Sequence, residues 1–259
     1  MIAKSESPIA LYVYGFTLPG NLAPSVLGVD DEHELSHYSC SGLNAIISSV
    51  ALNDFTGATG EINLQNVAWL SPRACRHALV IDKLMEQGTV YPLSFGTLFS
   101  NIRALEQEMK NQANAVLAVL QHVSGCQEWS LEATLDRKKA VDCLLAEGLQ
   151  SGRFILPEGA GRRHLEEQKL RRHLTSELNK WVTDCLTSIH NELHPLIHDF
   201  RTRRITDDKL LHGAYLVPVE KVTTFQQQIN TVSEHFESYG FNFRVTGPWA
   251  PYSFSQVAK

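Results

Sequence analysis

The sequence predicts an α+β fold in two domains, and three observations predict it. The chain has 259 residues, more than one hydrophobic core usually organises. Short runs of β-branched and aromatic residues alternate with long amphipathic stripes of helical spacing. A charged stretch from Asp136 to Glu158, broken by Gly148, Gly152 and Pro157, separates two such series. Residues 1–135 are expected to form a modified ferredoxin-like antiparallel sheet with helices on one face. Residues 136–259 are expected to form a helical connection followed by a smaller α+β unit with a long helix.

Ile9 to Phe16 is β-branched and aromatic and reads as a central first strand. A Pro/Gly-containing stretch runs through Pro24 and Gly28. Leu35–Ser39 and Leu43–Leu52 then pair as a hairpin around Cys40-Ser41-Gly42, and Asp54–Gly60 reads as a turn-rich loop. From Asn63 to Gln87 the apolar residues return to helical spacing. Pro72 marks a break or the first turn of a second helix capped by Ser71, and Gly88 closes it. Thr89–Phe99 supplies a strand and a turn, bracketed by Pro92 and Gly96, with Phe95 as core mass. A helix from about Asn101 to His122 and a half-buried strand, Glu128–Leu135, complete the first series.

Beyond the connection, Leu170, Leu174, Leu178, Trp181, Cys185, Ile189 and Leu193 form one stripe of a long helix that starts near His164 and ends at Pro195. That stripe is wider than one small sheet needs, which predicts that it also serves an interface between the two halves. Leu211–Val219 reads as a strand and Lys221–Tyr239 as a helix with Gly240 as its cap. Phe241–Val245 is the last strand, expected to end near Gly247. Past it, Trp249, Tyr252 and Phe254 are held by two prolines and need an apolar surface, on this chain or on a partner.

Composition narrows the function. The net charge is −5, from 23 basic and 28 acidic residues, without the basic stripe of a general nucleic-acid binder. No apolar run approaches the roughly 20 residues of a membrane span. Five scattered cysteines without a C-x-x-C pair fit reduced thiols in the cytoplasm. His190, His194 and His198 recur at intervals of four, but Pro195 interrupts their register, so they read as a solvated helix edge and not a metal site. Cys75 and His77 point to different faces of one helix. Asp207-Asp208 reads as charge-paired surface. No nucleotide loop or serine elbow occurs, so neither a catalytic residue nor a cofactor is assigned.

Four segments resemble the gas vesicle protein L/F family. They are Leu11-Tyr12-Val13-Tyr14-Gly15; Trp69-Leu70-x-x-x-Ala74-x-x-His77-x-x-Val80 running into Thr89–Thr97; Glu128-Trp129; and Thr246-Gly247-Pro248-Trp249-Ala250-Pro251-Tyr252-Ser253-Phe254. Ser94 stands where an arginine is common in that pattern, and Ala250 where a proline is. The resemblance implies an accessory or minor structural protein of gas vesicle assembly, cytoplasmic and vesicle-associated. It would bind the small hydrophobic shell protein or other accessory proteins and would not be an enzyme. On this reading Trp249, Tyr252 and Phe254 are the candidate partner-binding residues. Trp69, His77, Pro92, Phe95, Gly96, Trp129, Gly247 and Pro248 carry the structural motif. The alternative is a regulatory protein that binds a small ligand on a ferredoxin-like sheet.

Overall fold

Both parities of the first strand are buried, so it needs cover on two sides. In the computed structural model, which describes residues 8–21, 23–205 and 209–255, it has that cover. Asp207-Asp208 lies outside the described residues. β1 (Ile9–Thr17) pairs antiparallel with β3 (Leu43–Ala51), which forms the expected hairpin with β2 (Ser36–Cys40). Two helices follow, α1 (Gly57–Gln65) and α2 (Val67–Gln87), then β4 (Val90–Pro92), β5 (Leu98–Phe99) and α3 (Ile102–His122). The sheet order is β2-β3-β1-β4, with β5 also on β1. A β-bulge between Val13 and Gly15 exchanges the faces of β1. Tyr12 and Tyr14 pack under α2 with Ile46, Val80, Ile81 and Leu84. Val13 and Phe16 pack under α3 with Leu105, Met109, Val116 and Leu120. The helices therefore lie on both faces of this sheet, not on one, because the strand's apolar run does not alternate with polar residues.

Local chemistry sets the ends of these elements. The Asn66 side chain accepts from Ala68 N–H at 3.0 Å, so α2 begins there and runs through Pro72 instead of starting at Ser71. The turn-rich segment after Asp54 winds into α1, where Gly60 fits against Phe55; a Cβ there would sit 2.3 Å from the Phe55 carbonyl carbon. Asn101 caps α3 through Ala104 N–H.

The second unit is built from β6 (Cys126–Leu135), α4 (Arg137–Gln150), α5 (Ala160–Leu193), β7 (Asp199–Thr202), β8 (Leu211–Pro218), α6 (Val222–Glu237) and β9 (Phe241–Trp249). Its order, β7-β8-β6-β9, repeats that of the first sheet. Here the elements run β-α-α-β-β-α-β, and α4, α5 and α6 share one core with Trp129, Leu131, Tyr215, Val217 and Phe241. Helices on one face therefore describe this unit. In the first unit, the stretch between β1 and β2 replaces the first crossover helix.

The contacts divide the chain differently from the expected boundary at residue 135. One unit gathers the residues up to Gly125 and again from Trp249 on; the other spans Cys126–Pro248. β6 falls in the second because its ladder partner is β8, from Cys126↔Pro218 to Ala133↔Leu211. The expected helical connection contains α4, which is capped by Asp136 and packs in the core shared with α5. The wide stripe of α5 lies within its own unit's core, which also holds α4 and α6. Trp181 lies 5.5 Å from Tyr239 and 5.7 Å from Phe241, ring to ring. Trp181→Ala should therefore destabilise the protein by about 2–4 kcal/mol, since the ring is partly and not fully enclosed. Urea unfolding that showed no change in midpoint would remove Trp181 from this core.

Candidate functional site

The first unit places two tyrosine hydroxyls inside its core, and neither can be left without partners. Tyr14 Oη meets Ser48 Oγ at 2.9 Å and accepts from Val29 N–H at 2.6 Å. Tyr12 Oη accepts from Gly96 N–H at 3.0 Å and lies 2.9 Å from His77 Nδ1. On its other side, His77 Nε2 lies 3.1 Å from Tyr252 Oη. His77 bridges Tyr12 and Tyr252 through its two ring nitrogens. One proton path thus runs from Gly96 through Tyr12 and His77 to Tyr252. Rings close around it. The His77 ring stacks on Tyr14 at 5.6 Å and meets Phe95 edge-on at 5.9 Å, while Phe55 lies 5.6 Å from Tyr12 and 5.3 Å from Trp69.

Burial controls the electrostatics here. His77 is 4% exposed, and desolvation pulls it down to about 4, against a smaller opposing effect of a backbone hydrogen bond at Leu93. Desolvation also pushes Tyr14 and Tyr252 up to about 12 and Tyr12 higher still. All four groups are neutral at pH 7, so the network works by hydrogen bonding and not by charge. The neutral imidazole between two phenols acts as a clasp that ties α2 to β1 and to the tail.

The structure brings most of the motif residues to this cluster. Trp69, His77 and Phe95 belong to it, and Pro92 is buried in β4 against β1. Gly96 adopts φ +82°, a left-handed conformation in open space, so its glycine serves the turn that aims its N–H at Tyr12. Trp129 and Gly247 meet in the second unit. At φ +148° a Cβ on Gly247 would sit 2.9 Å from the Trp129 ring and 3.0 Å from the Glu128 carbonyl. β9 does not end at Gly247 but runs through Pro248 to Trp249, which an edge strand tolerates because proline needs no ladder donor there. Glu128 is fully buried and paired with Arg203, whose guanidinium also reaches Ser130 Oγ at 3.2 Å.

The tail residues separate by exposure. Ala250 and Phe254 are buried, whereas Trp249 is 50% and Tyr252 38% exposed. The Tyr252 hydroxyl is turned inward to His77 while part of its ring faces solvent. Among the histidines of α5, His190 and His194 have ring centroids 6.0 Å apart. His198 leaves their line beyond Pro195, its N–H bonded to Leu216. Among the described residues, three ligand-type side chains converge at Asp30, Glu32 and His33, a group tied together by its own turn hydrogen bonds. Tyr12 and Tyr14 belong to the site, although the sequence marks them only as part of the first-strand motif. The signal was there for the tyrosines, since hydroxyls in an otherwise apolar central strand require buried partners.

The family model described as Gas vesicle synthesis protein GvpL/GvpF matches residues 10–256. The chain belongs to this family. It is 26% identical over 96% of its length to gas vesicle protein L of Streptomyces sp. (strain CB03234), covering 93% of that protein. Gas vesicle protein F1 of Halobacterium salinarum is 22% identical, with 95% of this chain and 93% of that one covered. The fold matches the crystal structure of GvpF from Anabaena sp. PCC7120 with a TM-score of 0.70 at 19% identity, covering 97% of this chain and 98% of that one. The GvpF crystal structure from Microcystis aeruginosa gives 0.66 at 19% identity, covering 96% and 99%.

Two measurements test the clasp. The unfolded chain protonates His77 near 6.5 and the folded one only near 4, so unfolding takes up a proton between those values. Stability from this group is complete above about pH 6.5 and falls as the pH drops towards 4, by up to on the order of 3 kcal/mol. His77→Gln should be less stable at pH 7 yet lose less on acidification; parallel pH profiles for the two proteins would contradict the assignment. Separately, Tyr252→Phe removes a hydrogen-bond partner of a buried ring nitrogen and should cost about 1–3 kcal/mol in chemical denaturation. An unchanged unfolding midpoint would mean that the 3.1 Å contact contributes nothing.

Proposed function

We propose that this protein is an accessory or minor structural protein of gas vesicle assembly that binds the small hydrophobic shell protein, other accessory proteins, or both. The observation that carries this reading is the construction of the aromatic cluster. Segments around Tyr12, His77, Gly96 and Tyr252, far apart in the chain, are hydrogen-bonded into one rigid site. Tyr252 at its rim, and Trp249 three residues earlier in the chain, keep large exposed surfaces. Trp and Tyr in pre-set positions are the side chains that dominate binding hot spots, because little entropy is lost when they dock. Family membership supplies the biological setting, and a neutral, hydrogen-bonded histidine supports a binding role over a catalytic one. No helix among the described residues is long and apolar enough to cross a membrane. On this reading the protein works in the cytoplasm, at the forming vesicle.

Trp249 is the direct test, because removing the whole tail would also remove buried Ala250 and Phe254. Trp249→Ala should leave the unfolding midpoint nearly unchanged and weaken capture of purified shell protein at least tenfold. Equal capture by Trp249→Ala and wild type would take the tail out of the binding surface. Failure of the wild-type protein to capture shell protein would reject that partner.

A further inference from the structure

Trp129 brings into the core of the second unit a hydrogen-bond donor that the fold leaves unmet. The residue is 7% exposed, and its Nε1 is buried without a hydrogen-bond partner. An indole nitrogen can only donate, so what this position lacks is an acceptor oxygen. The same residue forms the buried wall of a cavity of about 250 Å³, whose other walls are Gln226, Asn230 and Val245. All four residues belong to the second unit. Helix geometry places the two carboxamides. On α6, Phe225, Ile229, Val232 and Phe236 turn into the core. Gln226 and Asn230 each follow one of these by one residue, four apart, so they share a side of the helix about 6 Å apart along its axis. Val245 stands on β9 two residues before Gly247, the glycine that gives the Trp129 ring its room, and so on the same face of the strand.

The lining selects the ligand. It contains no charged side chain, so nothing in it compensates a phosphate or a carboxylate. The indole calls for a carbonyl oxygen, while the two carboxamides offer donors and acceptors to a group that carries both. Val245 and the indole ring supply an apolar wall for a short carbon chain. The volume lies below the roughly 300 Å³ at which pockets for drug-sized molecules and cofactors begin. We propose that this cavity binds a neutral amide. The amide carbonyl accepts from the Trp129 N–H, Gln226 and Asn230 meet its nitrogen side, and its carbon chain lies on Val245. A free small amide and the side chain of an Asn or Gln in a protein segment present the same atoms. The site is separate from the clasp and from the tail, and it stands whether or not the tail binds shell protein.

The test follows the four tryptophan indole signals of the full-length, ¹⁵N-labelled protein by NMR, with that of Trp129 identified by its loss in Trp129→Phe. Three probes are titrated separately: butyramide, its charged isostere butyrate, and an acetylated, amidated Gly-Gln-Gly peptide. The expected result is a saturable shift of the Trp129 signal by butyramide or by the peptide, while the other three indoles stay in place. Butyrate should bind at least tenfold more weakly. Gln226→Ala and Asn230→Ala should each weaken amide binding at least fivefold without a fall in melting temperature, since both side chains lie outside the core. Tighter binding of the peptide than of butyramide would assign the site to a protein-borne amide, and any other order to a free one. A Trp129 signal that no probe moves would mean that water alone meets the indole, and the site would be overturned. Unaltered binding in both alanine variants would overturn it equally. Butyrate binding as tightly as butyramide would overturn the choice of a neutral amide.

Discussion

An imidazole enclosed by aromatic rings is tolerable only if both nitrogens find partners and neither carries a charge. His77 meets that condition by standing between two phenols, Tyr12 and Tyr252, with the Gly96 N–H completing the chain of donors. Much of the first unit follows from satisfying this one residue. The bulge in β1 keeps Tyr12 and Tyr14 on the α2 face while returning Phe16 to the other. The Gly96 turn is held where its N–H can reach Tyr12. The tail comes back to α2, where Tyr252 meets a ring nitrogen that burial has removed from water.

Around that clasp the molecule uses one strand order twice. Both sheets run second strand, third, first, fourth, and the second unit fills both crossovers with helix. In the first unit the leading crossover is a Pro/Gly-containing stretch, and α3 instead covers the face that would otherwise face solvent. The same topology therefore yields a two-layer unit in one case and a three-layer unit in the other. The difference traces to β1 and β3, whose side chains are apolar at both parities.

How much of this was legible depended on whether the governing contacts were local. Helices α3, α5 and α6 and most strands could be read from periodicity and caps, since Asn101, Pro195 and Gly240 act on their immediate neighbours. α1 was missed because its glycines signal a turn, whereas Gly60 is needed for its close fit on Phe55. β7 was missed because four residues offer too little pattern. The domain boundary was misplaced for a deeper reason: β6 has the same local character whichever sheet it joins, and only its pairing with β8 decides. The site was half legible. The family motifs pointed to His77, Gly96 and the tail, but the role of Tyr12 lay in a hydrogen bond across 65 residues of chain.

The first unit takes its residues from both ends of the sequence, with the second unit lying between them in the chain. During synthesis this imposes an order. The strands and helices up to Gly125 emerge early and can collapse, and the second unit can fold next as a continuous stretch. Ala250, Tyr252 and Phe254 emerge only after the second unit. Until that moment His77 lacks its contact with Tyr252, and the apolar surface that receives Ala250 is uncovered. A chain stopped early would hold a nearly complete scaffold without its clasp or its outer aromatic rings. The clasp thus closes only after the whole of the second unit has been made.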